Sequence, residues 1–196
     1  MWLMDWLPED GGYFVGNLGP GRLDYRYFAQ GNLLAIISGL ATSDQASAFM
    51  NLLRVRYDDL IGKMPLKLSF PALEGADWAT LTGMDRKNRP WSYHNGGHWP
   101  FMLWMLAAAG QCTGDTDLAE RALASAEPQL ERDDWPEYYD GPGGRLVGRR
   151  ARRLQTWTLA GYLAAIRIQS DAQAPSRLGF AKSAVAGACT GRGDAG

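Results

Sequence analysis

Cysteine is scarce in this sequence, and its two cysteines form no redox or metal-binding motif. The 196-residue chain has Cys112 in an apolar helical run and Cys189 in a stretch of small residues near the end. Nothing in this pattern indicates a disulfide framework, and no C-x-x-C pair indicates a metal site. The pattern favours a reducing, cytoplasmic environment.

Excess charge and long hydrophobic runs are lacking as well. The formal net charge is −1, which gives no general attraction to nucleic acid or anionic lipid. The longest apolar stretch, residues 99–110, is shorter than the roughly 20 residues that a membrane-spanning helix needs. The first seven residues lack the basic segment of a signal peptide. We therefore expect a protein that is not exported and has neither a nucleic-acid nor a membrane partner.

Tryptophan, in contrast, is abundant, with 8 residues in the chain. Three of these tryptophans lie in the long segments between plain helical patterns, at residues 63–98 and 133–148. Long loops inside a compact domain are more often functional than idle, and indole rings suit the flat faces of sugars. The sequence therefore predicts a site built from loops on a helical scaffold.

Apolar residues recur at the helical period in five segments. The second segment is preceded by the N-cap residues 42–44, the third is closed by Gly114, and Pro128 should kink or end the fourth. The five predicted helices cover about residues 24–41, 44–57, 99–112, 115–132 and 152–169. Since clear strands are scarce, the fold class is all-α, with residues 1–170 as the folded part and 171–196 as a flexible tail.

Residues 135–141, Trp-Pro-Glu-Tyr-Tyr-Asp-Gly, form the most suggestive segment. A carboxylate between aromatic rings is partly desolvated, which suits it to general acid or base chemistry. Glu137 is therefore the candidate catalytic residue, and Trp135 and Tyr138 are candidate sugar-binding residues. The alternative is a loop anchored by its rings with Glu137 in solvent.

The only two histidines, His94 and His98, lie in the segment of residues 93–100, just before a predicted helix. No third ligand at metal-binding spacing accompanies them, so we expect no metal or other cofactor. Tyr93 and His94 are candidates for binding sugar hydroxyls, and structural capping is the alternative.

Two further charged groups stand out. Asp24 and Arg26 open the first predicted helix, where they would either bind substrate or interact with the helix terminus. A basic cluster at residues 145–153 is interpreted as a solvated face, because no nucleic-acid-binding motif accompanies it.

Several of these motifs together resemble the neutral/alkaline invertases of cyanobacteria and plants. The similarity covers about residues 2–167. It is carried by the segments Gly-Gly-Tyr-Phe-Val-Gly-Asn (11–17), Met-Pro-Leu-Lys (64–67), Pro-Ala-Leu-Glu-Gly (71–75), Trp-Ser-Tyr-His-Asn-Gly-Gly (91–97), Trp-Pro-Glu-Tyr-Tyr-Asp-Gly (135–141) and Gln-Thr-Trp (155–157).

This resemblance implies an (α/α)6 barrel of helical hairpins, inverting hydrolysis of sucrose to glucose and fructose, and no cofactor. It assigns the general base to Glu137 and places His94 in the sugar-binding mouth. The general acid of the family is an aspartate in an upstream segment that nothing here matches. Twelve helices at about 11–12 residues each, with their loops, also exceed this chain.

We therefore expect a partial barrel, the C-terminal part of the family's fold, in which Met1 is either an internal methionine of a longer chain or the start of a truncated gene product. Its exposed inner faces would favour homo-oligomers or aggregation. The alternative function is a non-catalytic helical fragment that binds sugar or a partner chain. A sugar epimerase on the same kind of barrel is a further alternative.

Overall fold

The computed structural model describes residues 2–171 and 173, with the side chains of Asn17 and Leu18 excepted. Cys189 and, apart from Asp171 and Gln173, the predicted tail lie outside the described residues. Within them, the chain is mainly helical. The α-helices are α1 (Trp2–Trp6), α2 (Ala29–Ile37), α3 (Ser43–Val55), α4 (Tyr57–Leu60), α5 (Gly75–Thr82), α6 (Leu103–Thr113), α7 (Asp117–Arg132) and α8 (Thr156–Ser170), and a 3-10 turn (Pro100–Met102) precedes α6.

Helix α6 is the centre of the bundle. Its sequence is apolar nearly all round, as expected of a helix buried on every side. Helices α2, α3, α7 and α8 all pack against it. The core is therefore one cluster around α6, and the loops between helices are left to build a site.

Local signals set several helix ends as predicted. The Thr42 hydroxyl accepts a hydrogen bond from the Gln45 N–H, and the Gln45 side chain accepts one from the Thr42 N–H. This capping box starts α3. Gly114 closes α6 with a φ of 75°, a left-handed conformation that favours glycine. Helix α7 instead continues past Pro128 to Arg132.

The prediction of a helix over residues 24–41 is wrong at its start, because α2 begins only at Ala29. Strand β2 (Arg22–Asp24) pairs with β1 (Gly16–Gly19), and β3 (Tyr27–Phe28) follows. Asp24 and Arg26 therefore do not open a helix. The pairing of β3 with Ser69 and Phe70, more than forty residues away, outcompetes the helical periodicity, which is a local signal.

Residues 63–98 were expected to be a loop throughout, and this is wrong as well. They include α5, whose Trp78 indole N–H donates to the Asn88 carbonyl at 2.7 Å. Helix α5 buries no residue, so an apolar periodicity could not reveal it.

Short antiparallel pairings join the loops into one ladder. The segment before α2 pairs with the segment of residues 67–70, through Tyr27 with Phe70 and Phe28 with Ser69. Lys67 pairs in turn with His98, and His98 with Tyr139. Tyr139 then pairs with Val147. The strands involved are β3, β4 (Ser69–Phe70), β5 (Tyr139–Asp140) and β6 (Leu146–Val147). This loop ladder (residues 27–28, 67–70, 97–98, 139–140 and 146–147) directly precedes α2 and the turn before α6. It gathers the loops at one end of the bundle.

Candidate functional site

The main chain on both sides of Glu137 is fixed by hydrogen bonds. The Glu137 N–H donates to the Arg152 carbonyl at 2.8 Å, and the buried Thr158 hydroxyl donates to the Pro136 carbonyl at 3.0 Å. The Tyr138 carbonyl accepts from the Gly148 N–H at 2.9 Å. The half-buried Glu137 side chain is therefore mounted on a rigid segment, and its Oε2 lies 3.5 Å from the Arg152 N–H.

The histidine-bearing loop is held against strand β4. The Ser69 hydroxyl donates to the His94 carbonyl and accepts from the Gly96 N–H, both at 3.1 Å. The His94 N–H in turn donates to the Asn88 side chain at 3.0 Å. A Cβ on Gly97 would overlap the Tyr93 main chain, so only glycine permits this tight turn.

Aromatic rings from three segments meet beside Glu137. Tyr93 stacks on His94 with ring centroids 3.9 Å apart, and Trp99 stacks on Tyr138 at 5.2 Å. Tyr93 also meets Tyr138 edge-on at 5.2 Å, and Trp157 meets Trp99 edge-on at 5.4 Å. We call Tyr93, His94, Trp99, Tyr138 and Trp157 the aromatic site. Trp99 and Tyr138 are buried at its base, whereas His94 and Trp157 are exposed at its edge.

The charges around His94 show that Glu137 belongs to the same site. One side of the exposed His94 ring packs on Tyr93, and this partial burial lowers the pKa of His94; the charge of Lys87 lowers it further, while Glu137 and Asp85 act in the opposite direction. The neutral form of the imidazole, which can both donate and accept hydrogen bonds, is therefore favoured at pH 7.

The pKa of Tyr138 also reflects burial and the nearby carboxylates. Burial raises the pKa of Tyr138 to about 12, with Asp140 and then Glu137 adding smaller electrostatic contributions. Its hydroxyl donates to the Arg149 carbonyl at 2.6 Å. Tyr138 thus presents its ring to the site while its hydroxyl is already satisfied.

The other predicted site residues make different contacts. Asp24 and Arg26 pair with each other, and the Arg26 guanidinium lies 5.1 Å from the Phe28 ring centroid. The Trp135 ring meets Tyr162 of α8 edge-on at 4.9 Å. The aromatic site itself is built from the loops bearing Tyr93, Trp99 and Tyr138 and from the start of α8.

His98, the second histidine, is a structural residue. It is fully buried, and its ring nitrogens face the carbonyls of Met64 and Pro142. Burial, with a further contribution from the charge of Lys67, lowers its pKa to about 4.

Sequence reasoning missed three residues of the site. Trp99 is next to His98, and Trp157 belongs to the Gln-Thr-Trp motif, so sequence motifs pointed to both tryptophans. No motif pointed to Lys87, although its ammonium lies 3.8 Å from the Tyr93 ring centroid.

The described residues form neither a metal-binding cluster nor a membrane-spanning helix. Among the described residues, no three His, Cys, Asp or Glu side chains group as a metal ion would require. No helix in the described part of the chain is long and apolar enough to span a bilayer.

Comparison with known proteins decides the family. The family model for alkaline and neutral invertase matches residues 1–172. The chain belongs to the alkaline and neutral invertase family.

Individual members of this family show the same relationship. The chain is 52% identical over 179 residues to cytosolic invertase 1 of Oryza sativa subsp. japonica, covering 91% of this chain and 31% of that protein. It is 53% identical over 179 residues to alkaline/neutral invertase CINV1 of Arabidopsis thaliana, and the match covers 91% of this chain and 32% of CINV1. It is 50% identical over 177 residues to the mitochondrial alkaline/neutral invertase C of Arabidopsis thaliana, and the match covers 90% of this chain and 27% of that protein. The chain thus spans about a third of the length of these invertases.

Proposed function

We propose that this chain supplies the general base and part of the sugar-binding surface of a glycosidase that hydrolyses sucrose to glucose and fructose. The observation that carries the proposal is the fixed main chain at Glu137 beside the aromatic site, with the Glu137 charge acting on His94 and Tyr138. Membership of the invertase family supports the same reaction.

In the proposed reaction, Glu137 takes a proton from a water molecule as the water oxygen bonds to the glucosyl carbon. The bond from that carbon to the fructosyl oxygen breaks, and a second carboxylic acid protonates the leaving oxygen. The carbon is inverted, which requires the two carboxyl groups to lie about 6.5–9.5 Å apart with the water between base and sugar. The resemblance assigns the acid to an aspartate in a segment that this chain does not match.

The proposed substrate-binding residues are Asp24, Arg26, Tyr93, His94, Trp135 and Tyr138. The rings of Tyr93 and Tyr138 would pack on the C–H face of a sugar, and the neutral His94 would exchange hydrogen bonds with its hydroxyls. Asp24 and Arg26 lie just before strand β3 of the loop ladder as a largely buried, preformed charge pair, so they would contact the sugar only through the small exposed part of each side chain. Trp135 would take part in binding from the segment of residues 135–141, which also carries Glu137.

We further propose that the helices form part of an (α/α)6 barrel. Support comes from the central position of α6 and from the coverage of about a third of the longer relatives. A crystal structure of a full-length relative should superpose these helices on contiguous hairpins of one barrel. A match to helices scattered over two domains would contradict the proposal.

The cytosol is the compartment we propose for this chain. The described Cys112 is buried in the core, and one relative is named as cytosolic, although another is named as mitochondrial. Fractionation of cells that express the protein should find it in the cytosolic fraction. Recovery in an organelle fraction would contradict this.

A second candidate is a non-catalytic fragment that binds sugar or a partner chain. The observation that favours it is the exposed apolar face of α8, where Leu163 and Ile166 are 61% and 42% exposed. Such a surface favours association with another chain, including a second copy. This candidate predicts that the 196-residue chain binds sucrose in calorimetry without turnover and elutes larger than a monomer in light-scattering chromatography.

The test of catalysis is a chimera in which this chain replaces the matching third of rice cytosolic invertase 1. The chimera should hydrolyse sucrose, whereas the 196-residue chain alone should be slower by about 10²–10⁴-fold because it has no assigned general acid. Glu137→Gln should reduce kcat of the chimera by a similar factor. The matched control Glu131→Gln, at an exposed position of α7, should keep full activity. Full activity of the Glu137 variant would overturn the assignment.

A further inference from the structure

Four cationic side chains from two distant loops line one recess. Arg86 and Lys87 follow α5, and Arg149 and Arg150 follow β6; together they line a recess of about 100 Å³. Arg86, Arg149 and Arg150 are exposed and Lys87 is half-buried, so the recess opens to solvent and an anion can reach it. A concave surface lined by charges of one sign attracts ions of the opposite sign.

No ion pair between these four residues and a described carboxylate is present. The arginines that do pair with a described carboxylate lie elsewhere: Arg26, Arg54, Arg132, Arg153 and Arg167. Lys87 instead lies over the rings of Tyr93 and Tyr138, at 3.8 and 5.6 Å from their centroids. The recess is therefore a concentration of uncompensated positive charge in a chain whose net charge is −1.

The carboxylates adjacent in sequence or structure are already engaged. Asp85 accepts hydrogen bonds from the Lys87 N–H at 2.9 Å and from the Asn88 side chain at 2.7 Å. Asp140 accepts one from the Arg149 N–H at 2.9 Å. Four cations against Asp85, Asp140 and the nearby Glu137 still leave a local excess of positive charge. A phosphate monoester, which carries about −1.5 to −2 at pH 7, is a class of anion that such an excess attracts.

The wall of the recess is fixed to the aromatic site. The Arg149 N–H is held by Asp140, and the Arg149 carbonyl accepts the Tyr138 hydroxyl. Arg150 has a φ of 62°, a left-handed conformation that is strained for arginine. The main chain that carries these arginines is therefore fixed at the border of the sugar-binding surface, and Lys87 lies against the rings of that surface.

We propose that this recess is a binding site for a phosphate dianion, which can be the phosphate group of a phosphorylated sugar or free inorganic phosphate. Paired arginines offer the planar donors that phosphate oxygens accept, and Lys87 adds a point charge. A sugar phosphate would place its ring on the adjacent aromatic site. This proposal concerns binding alone and does not depend on Glu137 acting as a base.

The test is equilibrium binding to the complete 196-residue chain, measured by calorimetry with glucose 6-phosphate, inorganic phosphate and glucose as separate probes. At low ionic strength, at least one of the two phosphate probes should bind. The double variant Arg149→Gln/Arg150→Gln should weaken that binding by about tenfold or more, as expected when two charge-assisted contacts are lost. The matched control Arg22→Gln, an exposed arginine on the β1–β2 hairpin, should bind like the wild type. Circular dichroism checks that each variant is folded.

The probes separate the two sources of phosphate. Tighter binding of glucose 6-phosphate than of inorganic phosphate identifies a sugar phosphate, and equal binding identifies the free ion. Because Arg150 is strained, Arg86→Gln with wild-type Arg149 and Arg150 serves as a second variant and should also weaken binding. The proposal is overturned if neither phosphate probe binds, or if the recess variants bind as tightly as the wild type.

Discussion

The Arg26 guanidinium forms a hydrogen-bonded ion pair with the carboxylate of Asp24, two residues earlier in the chain. Its Nε lies 3.0 and 3.1 Å from the two carboxylate oxygens, and its terminal nitrogen lies 2.6 Å from one of them. Both side chains are largely buried, with exposed fractions of 7% for Asp24 and 15% for Arg26. The pair turns the chain from the β1–β2 hairpin into strand β3.

Replacing Arg26 with methionine should therefore destabilise the protein strongly. A buried carboxylate without its partner costs about 3–5 kcal/mol. The matched control is Arg54→Met, because Arg54 pairs with Asp115 while 52% exposed. Exposed pairs contribute about 0–1 kcal/mol. Urea unfolding followed by tryptophan fluorescence measures both; equal losses in the two variants would contradict the structural importance of the Asp24–Arg26 pair.

The pH dependence of stability should depend strongly on His98. Its pKa is about 4 in the folded chain, against 6.5 for an ordinary histidine. Between these values the unfolded chain binds a proton at this residue and the folded chain does not. The free energy of unfolding therefore falls as the pH is lowered through this window, by up to about 3 kcal/mol.

Unfolding measured at pH 7.5 and 4.5 should show this effect in the wild type and a much smaller one in His98→Gln. The exposed His94 provides the control, since His94→Gln should keep most of the pH dependence. An unchanged pH dependence in His98→Gln would show that other groups cause the loss of stability in acid.

The sequence predicted best what local signals determine. The capping residues before α3, Gly114 after α6 and the apolar periodicity of α6–α8 all act within a few residues of each other. The start of α2 was missed because Tyr27 and Phe28 pair with residues more than forty positions away.

The candidate site shows the same difference between local sequence signals and contacts between distant residues. The Glu137 and His94 segments were recognisable from their clustered polar and aromatic residues, and the structure brings them together. The stacking of Trp99 on Tyr138 and the position of Lys87 over Tyr93 depend on the packing of separate loops. No spacing within the sequence could reveal these contacts.

Two helical glycines should respond in opposite ways to alanine. A Cβ on Gly161 of α8 would overlap the Phe101 carbonyl, whereas a Cβ on Gly31 of α2 would meet nothing within 4 Å. Gly161→Ala must push α8 away from the turn that carries Phe101, which should destabilise by about 1–3 kcal/mol. Gly31→Ala should stabilise by about 0.5–1 kcal/mol through helix propensity alone.

Thermal unfolding of the two glycine variants checks this prediction, with the wild type measured alongside. The change at Gly161 should also shift the tryptophan fluorescence, because Trp157 stacks on Phe101 with centroids 4.5 Å apart. A stable Gly161→Ala variant with unchanged fluorescence would refute the close packing of α8 on the turn.

The central claim is that Glu137 deprotonates the attacking water, and chemical rescue tests it most directly. In the rice chimera, Glu137→Ala removes the base and leaves room for azide, which attacks without deprotonation. Because an inverting enzyme adds the nucleophile to the face opposite the leaving group, the α-glucosyl unit of sucrose should become β-glucosyl azide. NMR of the product should show this anomer, with activity rising as azide is added. Unchanged hydrolysis without azide, or formation of α-glucosyl azide, would contradict the account.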